Sequence, residues 1–350
     1  MGAKTLKAYA KVNIELFIGN RRPDGYHEIS SVMERISLCD EVTVETTAAT
    51  EAEGAMSAAE TGSSRSADEQ LPPVTLEIED NDISRGICSG EKNLAYRGAV
   101  AALSAIRGKV GEGADLPGFR ITLKKNIPAE AGLAGGSTDA AAVMLAVNSL
   151  LGNVLSVPEL IAAGIKVGSD VPAMIAIDGS AAKDDLEGEG KPLEGSALLS
   201  TAVRISGIGE IVEPVRSVGG WAILVKPSEG ISTKEAYDAI DRDRAEKSAE
   251  KQPDFTENRR DKNSILFYNE MEEYAFESSP ETGRIRDAMT RGLSAFAVTV
   301  SGSGPTVAAY YSDEDTARRE FYEIDGLLSG ITEDRGTWLV KLGGEGKCQV

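Results

Sequence analysis

Apolar and polar positions alternate with a period of two between residues 10 and 18: Ala10, Val12, Ile14, Leu16 and Ile18 fall on one side, Lys11, Asn13, Glu15 and Phe17 on the other. Such alternation predicts a half-buried strand with Lys11 and Asn13 side by side on its second face. The same pattern predicts strands at 41–46, at 74–78 and at Phe119, Ile121 and Leu123. Helical spacing takes over at 92–107, where Ala95, Ala99, Leu103 and Ile106 make one stripe, and after residue 137, where Ala140, Val143, Met144, Val147, Leu150 and Leu151 recur. A short helix is predicted over 158–167 with Pro158 in its first turn, and another begins at Pro172. From residue 221 the pattern predicts a strand at 221–226, then a helix opened by the capping-box pair Ser232 and Glu235. Helices over 264–276 and 281–291, strands at 295–300 and 306–311, a helix over 314–324 and a strand at 337–342 complete a split βαβ arrangement.

Three stretches carry no periodic face: 47–72, rich in Ala, Ser, Thr and Glu; 183–200, containing KDDLEGEGKPLEG; and the charged run DRDRAEKSAEKQPDFTENRRDKN from Asp241. They read as polar, mobile insertions. A change of style at SVGG, residues 217–220, marks a boundary, so the expected organisation is α+β in two domains. The N-terminal domain spans 1–218, with insertions at about 47–72 and 183–200, and the C-terminal domain spans 219–350. A chain of 350 residues is long enough for two cores. Its net charge of -19 disfavours nucleic acid and anionic membranes as partners. Cys39, Cys88 and Cys348 have no ligand-like spacing, which favours a reducing compartment. The first residues lack the apolar core of a signal peptide and no apolar run reaches membrane-spanning length, so a cytoplasmic protein is expected.

Candidate chemistry centres on Pro128, Ala129, Glu130, Ala131, Gly132, Leu133, Ala134, Gly135, Gly136, Ser137, Thr138 and Asp139, a glycine-bearing turn that runs into a helix. Glycines let backbone N–H groups approach an anion, and a helix start adds unpaired N–H groups and a positive dipole end. The turn therefore reads as a phosphate cradle or, on the plainer reading, as a loop followed by an ordinary cap at Ser137 or Thr138. It is neither a Walker A loop nor GxGxxG, because no Lys follows the glycines and Ala134 interrupts their spacing. Lys11 and Asn13 read as a solvated strand face or as a polar site. The turn at 20–25 delivers Tyr26 and His27, the one histidine of the chain, either as inert loop residues or as a pair able to stack on and hydrogen-bond a flat heterocycle. Asp170, two residues before Pro172, reads as a cap or as a carboxylate held beside a positive helix end.

AYAKVN at 8–13, IPAEAGLAGGSTDAA at 127–141 and SGSGP at 301–305, in this order, resemble the GHMP small-molecule kinases, named for galactose, homoserine, mevalonate and phosphomevalonate kinases. RRPDGYHEISSVM at 21–33, GSDVP at 168–172 and GIGEIVEP at 207–214 are similar to the branch that phosphorylates the 2-hydroxyl of 4-diphosphocytidyl-2-C-methyl-D-erythritol in non-mevalonate isoprenoid synthesis. The resemblance implies an N-terminal ATP-binding domain, a C-terminal ferredoxin-like domain and an active site in the cleft between them, with ATP and Mg²⁺ as cofactors. It makes Asp170 the base and Lys11 the stabilising cation. It assigns residues 128–139 to the ATP phosphates, Asn93 to the neighbourhood of adenine, Asn13 to the erythritol arm, and Tyr26 and His27 to cytosine. No metal ligand is implied by residue. Glu130, Ala131 and Ala134 stand where the family often has glycine, and Ala173 and Met174 where it has aromatic residues. Homoserine or mevalonate kinase activity, or a catalytically silent metabolite-binding relative, are the alternatives; retention of both Lys11 and Asp170 weighs against the last. An RNA-binding relative is disfavoured by the acidic charge.

Overall fold

A computed structural model of the chain describes residues 2–48, 71–84, 86–181, 193–246 and 265–344. In chain order its elements are β1 (Ala3–Arg21), β2 (His27–Thr47), β3 (Val74–Ile78), α1 (Leu94–Val110), β4 (Gly118–Lys124), α2 (Gly135–Leu150), α3 (Val157–Gly164), α4 (Val171–Ala181), β5 (Ala202–Gly207), β6 (Ile211–Pro214), β7 (Trp221–Pro227), α5 (Thr233–Glu246), β8 (Tyr268–Asn269), α6 (Glu272–Ser278), α7 (Pro280–Gly292), β9 (Ala297–Val300), β10 (Val307–Tyr311), α8 (Glu314–Leu328) and β11 (Arg335–Lys341). Nearly all of the stretch 47–72, the first part of 183–200, and 247–263 of the charged run lie outside the described residues. Residues 241–246 of that run are described, and they continue α5 rather than breaking it.

The chain divides into two compact units: Met1–Tyr9, Cys39–Ile127 and Gly135–Ser200 form the first, and Ala10–Leu38, Pro128–Ala134 and Thr201–Val350 the second. In the first, β4 pairs antiparallel with the end of β2 and parallel with β3. α2 is its centre. The predicted stripe of Ala140, Val143, Met144 and Val147 is buried, and so are Ala141, Ala142, Leu145 and Ala146, so the helix is enclosed on all sides. Its small residues make this possible: a β-carbon on Gly98 of α1 would lie 2.8 Å from the Ala140 carbonyl oxygen. Asn93 caps α1, its Oδ1 accepting from Ala95 N at 2.9 Å, and Ser156 with Glu159 forms a reciprocal capping box on α3.

In the second unit β7, β9, β10 and β11 form an antiparallel sheet ordered β11-β7-β10-β9, with α5 to α7 between β7 and β9 in the chain and α8 between β10 and β11. That is the split βαβ arrangement the pattern predicts. Ile223, Val225, Val307, Ala309 and Leu339 project from this sheet into a core closed by Ile285 and Met289 of α7 and by Ala317, Ile324 and Leu328 of α8. The spacing at 264–276 predicts one helix, but the described part divides: β8 pairs parallel with Glu15 and Leu16 of β1, and α6 starts only at Glu272. Asn269 explains the break, since its side-chain amide donates to the carbonyls of Val300 and Gly302, both at 2.8 Å. These long-range bonds outweigh a local helical preference. The β5–β6 hairpin, which pairs with the start of β2, also has no counterpart among the predicted elements.

Candidate active site

Three separate sequence stretches meet around Lys11 in the second unit. The Lys11 side chain is buried; its ammonium donates to Asn13 Oδ1 at 2.5 Å and to the Gly132 carbonyl at 2.9 Å. Ser301 Oγ donates to the same carbonyl at 3.0 Å and accepts from Asn13 N at 3.2 Å, while Lys11 N donates to the Leu133 carbonyl at 3.2 Å. A buried ammonium requires oxygen partners of this kind to offset its lost hydration. Gly302 is required by the approach: its φ is +59°, and a β-carbon there would lie 3.2 Å from Gly132 O, 3.3 Å from Asn13 Oδ1 and 3.4 Å from Lys11 Nζ. Gly132 has a φ of +72°, and a β-carbon on it would collide with the Ser301 carbonyl. Strand β1, the first half of the glycine-rich loop and the turn at 301–305 are thus one interlocked group. Asn13 uses both ends of its amide, since its Nδ2 donates to Ser31 Oγ at 2.8 Å, and Ser31 Oγ in turn donates to Glu15 O at 2.6 Å.

In the same loop Glu130 and Ala134 adopt φ of 50° and 60°, in the left-handed region that glycine occupies without strain. The Glu130 carboxylate leans on Gly230, where a β-carbon would lie 2.6 Å from Oε2. Burial lowers the proton affinity of Lys226, and the charges of Glu130 and Asp334 oppose that effect. Pro128 and Ala131 are covered or partly covered, and Ala129 is exposed.

The rest of the loop opens α2 in the first unit. Gly135, Gly136 and Ser137 form its first turn, where backbone N–H groups have no partner inside the helix. Gly136 is exposed and Ser137 half-buried. A β-carbon on Gly168 would lie 3.9 Å from Ser137 Oγ, so GSDVP and this helix start are neighbours. Within GSDVP, Met174 N donates to the Asp170 carbonyl at 3.0 Å, which makes Asp170 the N-cap of α4. Thr138 and Asp139 turn their side chains inward. Thr138 Oγ1 lies 2.5 Å from Asp178 Oδ2 and 2.8 Å from the Tyr9 carbonyl, and Asp178 Oδ1 accepts from Tyr9 N at 3.0 Å. Asp139 pairs with Lys125 at 2.5 Å, and Lys125 also pairs with Asp40, whose Oδ1 accepts from Asn126 N at 2.5 Å and Ile127 N at 2.8 Å. The Thr138 and Asp139 side chains are thus engaged inside the first unit, and the N–H groups without a helical partner are those of the residues before them, Gly135, Gly136 and Ser137.

Burial pushes the Asp139 carboxyl up to about 8; the Lys125 ammonium pulls against this and the Asp40 charge adds to it. Asp139 Oδ1 is buried without a hydrogen-bond partner, whereas Asp40 Oδ1 accepts from two backbone N–H groups. Burial works against the Lys125 charge, but Asp139 and Asp40 outweigh it and its proton is held above the ordinary lysine range. Neither Lys125 nor Asp40 is marked by any motif in the sequence. Asn93, expected near adenine, spends its side chain on the α1 cap and on the Cys88 carbonyl at 2.7 Å.

Tyr26 and His27 lie at the β1–β2 turn in the second unit. Tyr26 is 61% exposed and His27 is buried. The His27 ring stacks on Tyr237 with centroids 5.2 Å apart, and its Nε2 lies 2.8 Å from Asp241 Oδ1. Tyr237 and Asp241 belong to α5 one turn apart, and only the second falls in a stretch that the pattern read as an insertion. Among the described residues no group of three or more His, Cys, Asp or Glu could hold a metal ion, and no helix is long and apolar enough to cross a membrane.

Residues 93–176 match the profile of the GHMP kinases N terminal domain, and residues 246–347 that of the GHMP kinases C terminal domain. The 4-diphosphocytidyl-2-C-methyl-D-erythritol kinase of Geobacter metallireducens is 34% identical over 319 residues, covering 91% of this chain and 92% of the relative. That of Pelobacter propionicus is 32% identical, covering 95% and 99%. A crystal structure of 4-(cytidine 5'-diphospho)-2C-methyl-D-erythritol kinase superposes with a TM-score of 0.61 at 25% identity, covering 97% of this chain and all of that one. Homoserine kinase from Cytophaga hutchinsonii, at 15% identity and a TM-score of 0.59, shares the fold. The chain belongs to the GHMP kinase family, alongside relatives that are 4-diphosphocytidyl-2-C-methyl-D-erythritol kinases.

Proposed function

We propose that the protein is an ATP-dependent small-molecule kinase that transfers a phosphoryl group to the 2-hydroxyl of 4-diphosphocytidyl-2-C-methyl-D-erythritol, a cytoplasmic step of non-mevalonate isoprenoid synthesis. The observation that carries the site assignment is the interlocking of Lys11, Asn13, Gly132 and Gly302, which holds an ammonium against the phosphate loop. In this reading the first-turn N–H groups of α2 bind the ATP phosphates, Lys11 stabilises the oxygen that attacks, and Asp170 receives its proton. Asn13 orients Lys11 and borders the erythritol arm, and Tyr26 and His27 hold the cytosine. The structure supports the phosphate role through the exposed Gly136 at the helix start and through two glycines whose β-carbons would fill the loop's contacts. Mg²⁺ would be held largely by the triphosphate oxygens, neutralising their charge, as is usual for this ion.

Domain boundaries at 218/219 are part of the same proposal, and the two family profiles fall on either side of it. The test is ATP consumption by the purified chain against a panel containing the cytidine compound, homoserine and mevalonate. Turnover of the cytidine compound alone is expected. Efficient turnover of homoserine or mevalonate instead would keep the kinase and remove the substrate assignment.

A further inference from the structure

The strongest unassigned feature is the set of contacts that α5 makes with the turn carrying Tyr26 and His27. Asp241 Oδ1 lies 2.8 Å from His27 Nε2, and its Oδ2 lies 3.2 Å from Arg21 NH1. One turn earlier Tyr237 stacks on the imidazole with an interplanar angle of 22°. One turn later Arg244 donates to the carbonyls of Gly19 and Ile18, both at 2.7 Å, and pairs with Glu270 at 2.9 Å. Glu270 Oε2 in turn accepts from Ile18 N at 2.8 Å. Tyr237, Asp241 and Arg244 share one helical face by their spacing, so α5 grips both strands of the turn. The turn is further closed by Arg21 Nε to Gly25 O at 3.2 Å and by Tyr26 N to Asp24 Oδ1 at 3.1 Å.

We propose that Asp241 is a positioning residue that fixes the hydrogen of His27 on Nε2 and thereby makes the base site selective for a 4-aminopyrimidine over a 4-oxopyrimidine. An ionised carboxylate only accepts, so the Nε2 facing it carries the hydrogen. Arg21 lies against the second carboxylate oxygen, so Oδ1 is the oxygen that faces the ring. In the neutral ring Nδ1 is then a bare acceptor. Tyr237 covers one face of the imidazole and holds its plane, leaving recognition to the ring edge. Cytosine presents an exocyclic amine that donates to such an acceptor, whereas uracil presents a carbonyl oxygen at the same place and sets two acceptors against each other. Mismatches of this kind discriminate strongly because a buried polar group is left unpaired.

This inference rests on the reading of Tyr26 and His27 as the base site, and two measurements separate its failure from that of the reading. Because His27 is the chain's one histidine, a ¹H–¹⁵N spectrum of the imidazole at slightly alkaline pH reports its tautomer without overlap. The wild-type protein is expected to show hydrogen on Nε2, and Asp241→Ala a mixture of tautomers. Steady-state kinetics are then run with the cytidine substrate and its uridine analogue for wild type, Asp241→Ala and Asp241→Asn. Asp241→Ala should raise KM for the cytidine substrate about tenfold, narrow the cytidine-to-uridine preference by a similar factor and leave KM for ATP within about twofold. Asp241→Asn retains an acceptor oxygen and should recover part of both. Hydrogen on Nδ1 in the wild type, or an unchanged base preference in a folded Asp241→Ala, overturns the proposal. A protein with the expected tautomer that turns over neither substrate refutes the substrate reading and, with it, the role in base choice, while leaving the Asp241–His27 pair established.

Discussion

Replacing Asp139 by Asn should remove a pH dependence of stability that the buried group beneath the loop helix imposes. In the folded chain Asp139 holds its proton up to about 8, because burial outweighs the attraction of Lys125, against 3.8 for an ordinary aspartate. A raised folded value means that the native state keeps a proton the unfolded chain has lost. This contribution to stability is full below pH 3.8 and is lost progressively as pH rises to about 8. One proton gives a slope of about 1.4 kcal/mol per pH unit, so between pH 5 and pH 7 the wild type should lose about 3 kcal/mol from this group. The amide of Asp139→Asn does not titrate, and Lys125 retains Asp40. Urea unfolding of both proteins at several pH values isolates the effect, since every other titrating group cancels in the difference. The gap between the two curves should shift in the variant's favour as pH rises. Parallel curves would show that Asp139 is ionised in the native state over this range and that Lys125 compensates both carboxylates.

Three further outcomes are expected. Asp170→Asn should lower kcat by about 10²- to 10⁴-fold, the usual cost of a positioned base, with ATP affinity by calorimetry nearly unchanged; near-normal turnover would remove Asp170 from the mechanism. Gly302→Ala should cost about 1–2 kcal/mol for the left-handed backbone alone and more through contact with Lys11 and Asn13, so thermal stability and kcat should fall together, whereas loss of neither would mean the turn can move away from Lys11. Glu130→Gly should relieve a strained φ and gain about 0.5 kcal/mol net of glycine's unfolded-state entropy; a lower KM for ATP should accompany it if the carboxylate acts on the triphosphate, and lower stability would show that its contact with Gly230 outweighs the strain.

Periodicity made most of the fold legible. The stripe of α1 and the strand-helix succession after residue 221 depend on which face is buried, and burial leaves a direct mark on residue order. The alternation at 10–18 locates β1 but predicts a half-buried strand, whereas Lys11, Asn13 and Glu15 on its second face are buried too. Periodicity misled where a long-range polar contact decided the backbone. Phe267, Tyr268 and Asn269 sit in a run with helical spacing, yet Asn269 bonds to Val300 and Gly302, and Tyr268 packs its ring on Phe17 at 5.0 Å. Nothing local in that run announces partners some 30 or 250 positions away. The same limit explains the end of α5: the pattern predicts the helix opened by Ser232 and Glu235, but its charged residues from Asp241 read as a mobile insertion, whereas Asp241 and Arg244 have their partners at the β1–β2 turn.

For the site, motifs located the backbone and missed the supports. Gly132 and Gly302 lie in glycine-bearing turns that the sequence marks, because close backbone approach demands glycine, whereas Lys11 on its alternating strand reads equally as a solvated face and is singled out by the family resemblance. Thr138 and Asp139 belong to the motif, but their side chains serve the interior, where Asp178 and Lys125 meet them. The polar residues at the start of a ligand-facing helix can thus anchor the helix while its N–H groups face outward. Sequence alone assigns both tasks to the same letters. A helix start aimed at an anion needs unpaired N–H groups on one side and rigid attachment on the other, and a buried Lys or Asp provides the second at the cost of its own desolvation. Burial raises the proton affinity of Asp139, and a proton held there would lower that cost, so the pH dependence of stability, more than any motif, tests how the loop helix is held.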